Sequence, residues 1–461
     1  MNMHQTKKTL VSVCVALGLG GCGSLDIGDL NNPSLDDFRN NPTASGVNSA
    51  STGLLLGHRA GVTAPNGYVA QLGVIGREAY VFDPADPRAI DEMLGPILDP
   101  GAAAFGGNYW TGPYANIRNA NTLLAALEKV AGLSDEQKEG VRGFAKTMQA
   151  LDFLVVINTR DVLGAPIDVD RPLGAELAPI EGKEAVFNHI ASLLDTANGH
   201  LANAGDSFSF RLSTGFNGFS TPATFRPFNR AIRARVAVYM GRHEEALTAL
   251  SESFITANVP ADEGSKTAAL TSLNTGVYHV FRAASGDADN ALVTPTIYAH
   301  PSIATDAETA GEGGPVDDRV TRKTIKLTTP ASAAEGKLTT DLDFIIYPSA
   351  DSPVPIIRNE ELILLRAEAN IGLGQIGPAA DDLNYIRTRS GRLPARTDIT
   401  AENALDELLK QKRYSLMFEG GHRWLDMRRY GKLDELPRNL DPSIPPHQYF
   451  PIPVAEINGR Q

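Results

Sequence analysis

Glu419, His422 and Asp426 put an imidazole and two carboxylates into one short stretch, the residue types that hold a metal ion or pass a proton. His422 and Asp426 have the i, i+4 spacing that sets two ligands on one helix face. A third ligand has to come from elsewhere, and no His-Glu-x-x-His pair accompanies them, so the spacing reads as structural. A helix ends near Gly420-Gly421, the next turn packs Trp424, Leu425 and Met427 inward, and the charges pair locally. Two Gly-x-Gly-x-x-Gly matches fail on context. Gly18, Gly20 and Gly23 lie in an apolar N-terminal run, and Gly372, Gly374 and Gly377 follow a helical pattern where a dinucleotide fold needs a strand. The acid pairs Glu360-Glu361 and Asp381-Asp382 fall near helix starts. They are expected to face solvent or offset a helix dipole rather than flank a glycosidic bond. With no Gly-x-Ser-x-Gly elbow and no Walker lysine loop, the expectation is no catalytic set, no metal site and no cofactor.

One thiol does carry a chemistry. Lys7 and Lys8 precede an apolar run of about a dozen residues that closes on Leu19-Gly20-Gly21-Cys22, the build of a secretory signal. The sequence around Cys22 resembles a bacterial lipobox, in which the thiol is acylated and the chain is cut before the cysteine. The run is shorter than the ~20 residues that span a bilayer. Buried acyl chains contribute about 0.8 kcal/mol per CH2, and stable anchoring takes more than one of them. A diacylglyceryl group plus an N-linked palmitate-type chain meets that condition. Residues 1–21 are then a signal peptide, 22–41 a lipidated tether rich in Asp, Asn and Gly, and 42–461 the body. Cleavage removes Lys7, Lys8 and Cys14, so the formal charge moves from -12 to -14 (two positive charges lost, no acids lost) and no cysteine pair remains. An acidic surface disfavours nucleic acid.

The other chemistry on offer is ligand recognition by flat aromatic faces and planar polar groups carried on loops. The loop-borne candidates are Arg77, Tyr80, Phe82, Asp83, Arg88, Phe105, Asn108, Tyr109 and Trp110, then Tyr298, His300, Asp317, Asp318, Arg319 and Tyr347. Trp110 leads, because it sits in a Gly-rich loop rather than on a helical stripe. Asp317, Asp318 and Arg319 also suit a local ion pair that braces their own loop.

The elements that must position these residues are mostly helical. Apolar spacing predicts helices over Tyr114–Val130, Lys183–Asn203, Arg230–Met240, Glu244–Ala257, Glu360–Leu373, Pro378–Arg389 and Ala401–Glu419. Ser134 and Gln137 form a capping-box pattern ahead of another, running to Asn158. A stretch from about 259 to 355, rich in Gly, Pro, Ser, Thr and Asp, reads as long loops with short strands. Ala234, Gly241, Ala246 and Leu250 recur with the same spacing as Ala367, Gly374, Ala379 and Leu383. That is the pattern of a tetratricopeptide-like helix–turn–helix, in two copies that are not tandem.

The ordered set Ile357-Arg358-Asn359-Glu360-Glu361-Leu362, Leu383-Asn384-Tyr385-Ile386-Arg387, Arg413 to Arg429 and Tyr449-Phe450-Pro451-Ile452-Pro453 resembles the RagB/SusD family of outer-membrane nutrient-binding lipoproteins. Leu30-Asn31-Asn32-Pro33 and Tyr114-Ala115-Asn116-Ile117-Arg118-Asn119-Ala120-Asn121 resemble that family too. The resemblance implies a mostly α fold in which tetratricopeptide-like helical pairs support a loop-rich ligand face. It implies capture of oligosaccharides or other oligomeric nutrients without catalysis, and delivery to a SusC-like TonB-dependent transporter. It implies lipid anchorage at the cell outer membrane, facing outward. Gly23-Ser24-Leu25-Asp26-Ile27-Gly28-Asp29 departs from the compact acidic cluster that often follows the cysteine in surface-exposed members. The rival readings are a lipid-anchored glycoside hydrolase, which needs paired carboxylates in a cleft, and a helical-repeat assembly scaffold, which needs a smooth concave groove.

Overall fold

Ser134 and Gln137 cap the longest helix as their spacing requires. The Ser134 hydroxyl accepts the Gln137 N–H, the Gln137 side chain accepts the Ser134 N–H, and the helix runs Asp135–Arg160. The structure, a computed structural model, describes residues 35–64, 67–101, 104–172, 174–260, 263–285 and 287–461. The signal segment, Cys22 and the tether up to residue 34 lie outside them.

The principal helices are α1 (Ala44–Val62), α2 (Tyr68–Ile75), α3 (Thr111–Leu127), α4 (Asp135–Arg160), α5 (Lys183–Ala202), α6 (Pro222–Tyr239), α7 (His243–Ser251), α8 (Asn359–Gly372), α9 (Ile376–Arg389), α10 (Ala404–Ser415) and α11 (His422–Arg429). From α3 to α11 each packs on the next, so the chain lays down a stack of helical pairs. The fold is mostly α, as expected. Some bounds differ. Helix α6 begins at Pro222, earlier than the apolar pattern shows, because Thr221 and Thr224 cap it and proline suits a first turn. Helix α10 stops at Ser415, ahead of Phe418 and Gly421, whose φ angles of 56° and 73° turn the chain out of the helix.

The repeated Ala–Gly–Ala–Leu pattern marks two hairpins, α6–α7 and α8–α9. Gly241 and Gly374 make their turns at φ 69° and 71°, where a side chain would be strained. Ala234, Ala246, Leu250, Ala367, Ala379 and Leu383 are all buried in the interhelical seams. Although far apart in sequence, the two hairpins are neighbours in space: α8 packs on both α6 and α7. The whole intervening segment is therefore an excursion from one joint of the stack.

That excursion carries most of the strands. The strands are β1 (Ala79–Val81), β2 (Gly276–His279), β3 (Ile297–Ala299), β4 (Thr324–Ala333), β5 (Leu338–Phe344) and β6 (Val354–Arg358), paired as the antiparallel ribbons β1–β3, β2–β6 and β4–β5. The β2–β6 ribbon closes the base of the excursion, with Gly276 opposite Arg358. The β1–β3 ribbon ties its interior to the early loop that follows α2.

Charged residues hold the layers together where the sequence suggested solvent or local pairing. Glu360 and Glu361 are buried rather than exposed. Glu361 takes a two-pronged bond from Arg235 (2.6 and 2.7 Å), and Glu360 pairs with Arg358. Asp382 is likewise buried and paired with Arg366 at 2.7 Å. Glu419 reaches back to Arg358 (2.8 Å) and Lys323 (3.2 Å) instead of a near neighbour. Asp426 accepts from Lys412 as well as from Arg429, and His422 lies 4.0 Å from Glu361. The histidine and the two carboxylates of that block thus serve three different partners. Trp424 is fully buried, and Leu425 nearly so, as expected.

Candidate functional site

Strand pairing brings the two groups of loop candidates together. In the β1–β3 ribbon Tyr80 lies opposite Tyr298 and Val81 opposite Ile297, while the His300 N–H donates to the Glu78 carbonyl (2.9 Å) and the Phe82 N–H to the Thr296 carbonyl (2.8 Å). Side chains alternate along a strand, so the ribbon has two faces. On one face Tyr80, Phe82 and Tyr298 form an aromatic run. Phe82 stacks on Tyr80 at 5.1 Å and meets Tyr298 at 5.5 Å. Phe82 and Tyr298 are half-buried and show part of their rings to solvent, whereas Tyr80 is buried and its phenol is pushed up to about 12 by desolvation.

On the other face Val81 and Ile297 floor a cleft of about 210 Å3, with Asp83, Asp86, Gln71 and Phe105 around it. Its loop is rigidly braced. The Glu92 carboxylate accepts the Phe105 and Gly106 N–H groups (3.0 and 3.3 Å), and Asp83 accepts the Ala85 N–H (2.9 Å). Arg88 lies 4.5 Å over the Phe105 ring and pairs with Asp86 at 2.5 Å, and that hydrogen bond holds the Asp86 carboxyl below its ordinary value. Asp86 is therefore a fixed anion rather than a proton donor.

The remaining candidates are supports. Trp110 is buried at the start of α3, with its indole N–H directed at Glu456 (3.3 Å) and Arg160 5.4 Å over its ring. Tyr109 is buried against Tyr68 and Phe450, and its hydroxyl bonds Gln71. Asn108 also bonds Gln71, at 3.3 Å, and stays partly open beside a cavity of about 270 Å3 between α1 and α3. Arg77 is buried with φ 58°, donates to the Pro437 and Ile75 carbonyls (both 2.8 Å), and is lowered to about 10 by desolvation. His300 is buried and lowered to about 3, chiefly by desolvation. Tyr347 donates to the Phe418 carbonyl at 2.9 Å. Arg319 is wholly buried, forked onto Asp317 (2.5 Å) and bonded to Ser415 (3.0 Å), so this pair is the loop brace. The solvent-facing part of the predicted set is Phe82, Asp83, Arg88, Asn108, Tyr298 and Asp318, the last paired with Arg322 at 2.6 Å.

Sequence reasoning missed Gln71, which organises Asn108 and Tyr109 from α2. All eight residues of that helix are buried, so no apolar stripe marks it. Among the described residues no group of three or more His, Cys, Asp or Glu is placed to hold a metal ion, and no helix is long and apolar enough to cross a membrane.

Residues 347–459 match the model of the SusD family. No curated protein matches the sequence. Solved structures share the fold across nearly the whole chain. A SusD-like carbohydrate binding protein from Bacteroides fragilis superposes with a TM-score of 0.68 at 15% identity, over 92% of this chain and 99% of that one. A laminarin binding SusD-like protein gives 0.63 at 18% identity, over 90% and 97%. A SusD superfamily protein from Bacteroides vulgatus gives 0.65 at 16% identity, over 90% and 97%. The C-terminal part of the chain thus matches the SusD family's model, and the described body shares the fold of SusD-like structures.

Proposed function

We propose that the protein is a non-enzymatic glycan receptor that binds oligosaccharide across the β1–β3 ribbon. The observation that carries this reading is the part-exposed aromatic pair Phe82 and Tyr298, set together by strand pairing on one face of the ribbon. The two rings receive the C–H face of a sugar, while Asp83 and Arg88, braced around the cleft on the ribbon's other side, offer polar groups to any part of the oligomer that wraps the ribbon's edge. The cleft behind the ribbon, about 210 Å3, is smaller than the roughly 300–1,000 Å3 that engulfs a drug-sized ligand. The oligomer is therefore held over the aromatic face rather than engulfed. Two relatives of the same fold bear names that mention carbohydrate or laminarin binding, which supports a glycan as the ligand class. The lipid anchor at Cys22, attachment to the outer membrane and hand-over to a SusC-like TonB-dependent transporter complete the proposal. They rest on the N-terminal sequence and the family's general character.

Glycan-array screening followed by calorimetry on the chain starting after Cys22 tests the reading. Phe82→Ala and Tyr298→Ala are each expected to weaken the best glycan about tenfold, with melting temperatures nearly unchanged. Undiminished affinity in the double variant, or release of shorter sugars by the purified protein, sinks it. Mass spectrometry of the membrane-extracted N-terminus tests acylation of Cys22, and co-purification of a β-barrel transporter in mild detergent tests the partner.

A further inference from the structure

A larger cleft, about 600 Å3, lies elsewhere, where the end of α9 meets the excursion. Pro260, Ala269, Val316 and Leu393 give it apolar wall, Lys266 and Thr321 add polar groups, and its volume falls within the range of ligand pockets. Two arginines, Arg389 at the end of α9 and Arg392 just beyond it, line it. Arg389 is half-buried. Its guanidinium lies 4.7 Å over the Tyr385 ring and donates to the Val259 carbonyl (3.2 Å) and the Thr388 hydroxyl (2.6 Å), but among the described residues it has no carboxylate partner. Arg392 is exposed, at φ 53° just beyond the helix, and touches a carboxylate only at 3.4 Å, that of Asp318. Asp318 is already engaged by Arg322 at 2.6 Å. Most other arginines of this acidic chain sit in close ion pairs.

We infer that this cleft is a second glycan site, selective for sugars that carry carboxylates, and that Arg389 and Arg392 receive a uronate there. The charge is complementary, because Arg389, Arg392 and Lys266 line the cleft against one acid, Asp318, which Arg322 already pairs. A planar fork matches a carboxylate in two-pronged geometry. The ring packing and backbone bonds of Arg389 hold its fork in place before the ligand arrives, so little side-chain freedom is lost on binding. The inference rests on the glycan-receptor reading for the ligand class but uses different residues from the ribbon face.

Calorimetry at low salt compares hexagalacturonate with laminarihexaose on the chain starting after Cys22, for the native protein, Arg389→Gln, Arg392→Gln, the double variant and Phe82→Ala. Hexagalacturonate is expected to bind the native protein and to weaken about tenfold with each arginine variant and more with the double. Its affinity should fall as salt rises. Arg392→Gln changes an exposed side chain, so its circular dichroism should match the native protein even if Arg389→Gln unfolds. Failure of hexagalacturonate to bind, or equal affinity in native and Arg392→Gln protein, overturns the inference. Loss of hexagalacturonate binding through Phe82→Ala alone also overturns it, by assigning the acid to the ribbon. Binding of neutral glycan without hexagalacturonate removes this site and leaves the receptor reading standing, and binding of neither removes both.

Discussion

A side chain at Gly421 would place its Cβ 2.4 Å from Cβ of Leu72, closer than carbon atoms approach. Gly421 also sits at φ 73°, a conformation that costs an L residue about 1 kcal/mol or more. The turn into α11 is thus pressed onto α2, joining the C-terminal end of the stack to the helix beneath the ligand loops. Gly421→Ala should cost about 3 kcal/mol, combining backbone strain with overpacking. At Gly420, where the nearest atom to an added Cβ is 3.5 Å away, the same change should cost far less. Urea denaturation of both variants checks this, and equal losses would show that the contact does not matter.

Trp110 separates a support from a contact. Its burial and its bond to Glu456 predict that Trp110→Ala loses about 3–5 kcal/mol of stability, with glycan affinity falling only as the fold does. Phe82→Ala should do the reverse. Thermal melts run beside titrations on both variants discriminate the two roles.

Arg235 and Glu361 form a buried fork. Arg235→Met leaves the Glu361 charge alone in the interior and should cost about 3–5 kcal/mol. Adding Glu361→Leu should restore much of that loss, since the desolvated charge is then gone. If the double variant is no better than the single, the pair contributes through packing instead.

Glu78 sets a pH dependence. It is buried beneath the ribbon, and desolvation lifts its carboxyl from 4.5 to about 8. The Phe418 N–H, Lys323 and Arg413 pull the other way, while Glu419 adds to the rise. The folded protein therefore holds this proton more tightly than the unfolded chain. The contribution is fully present below about pH 4.5 and is lost as pH rises toward 8, at up to about 1.4 kcal/mol per pH unit. Glu78→Gln keeps the acceptor for Phe418 and removes the titration. Relative to the native protein it should gain stability between pH 5 and pH 8, and a constant difference across that range would refute the assignment.

The helical spine was legible because its signals are local. A capping box needs only Ser134 and Gln137, and a tight helical turn needs only a glycine between small residues. Helix α1 escaped notice because Gly, Ser and Thr dominate its first half. The candidate site was half legible. The β1–β3 ribbon joins the two loop regions that the sequence marked. Which side chains face outward was not legible, since Arg77 is held by Pro437 and Arg319 by Ser415, partners distant in sequence. An arginine on a loop reads the same whether it meets water or a carbonyl from the far end of the chain.

The β2–β6 ribbon fastens both ends of the excursion to each other and to the joint between two stacked hairpins. The segment beyond it behaves as a cassette. Its length and surface chemistry can change while the spine stays in register, because both of its ends are held at one point of the frame.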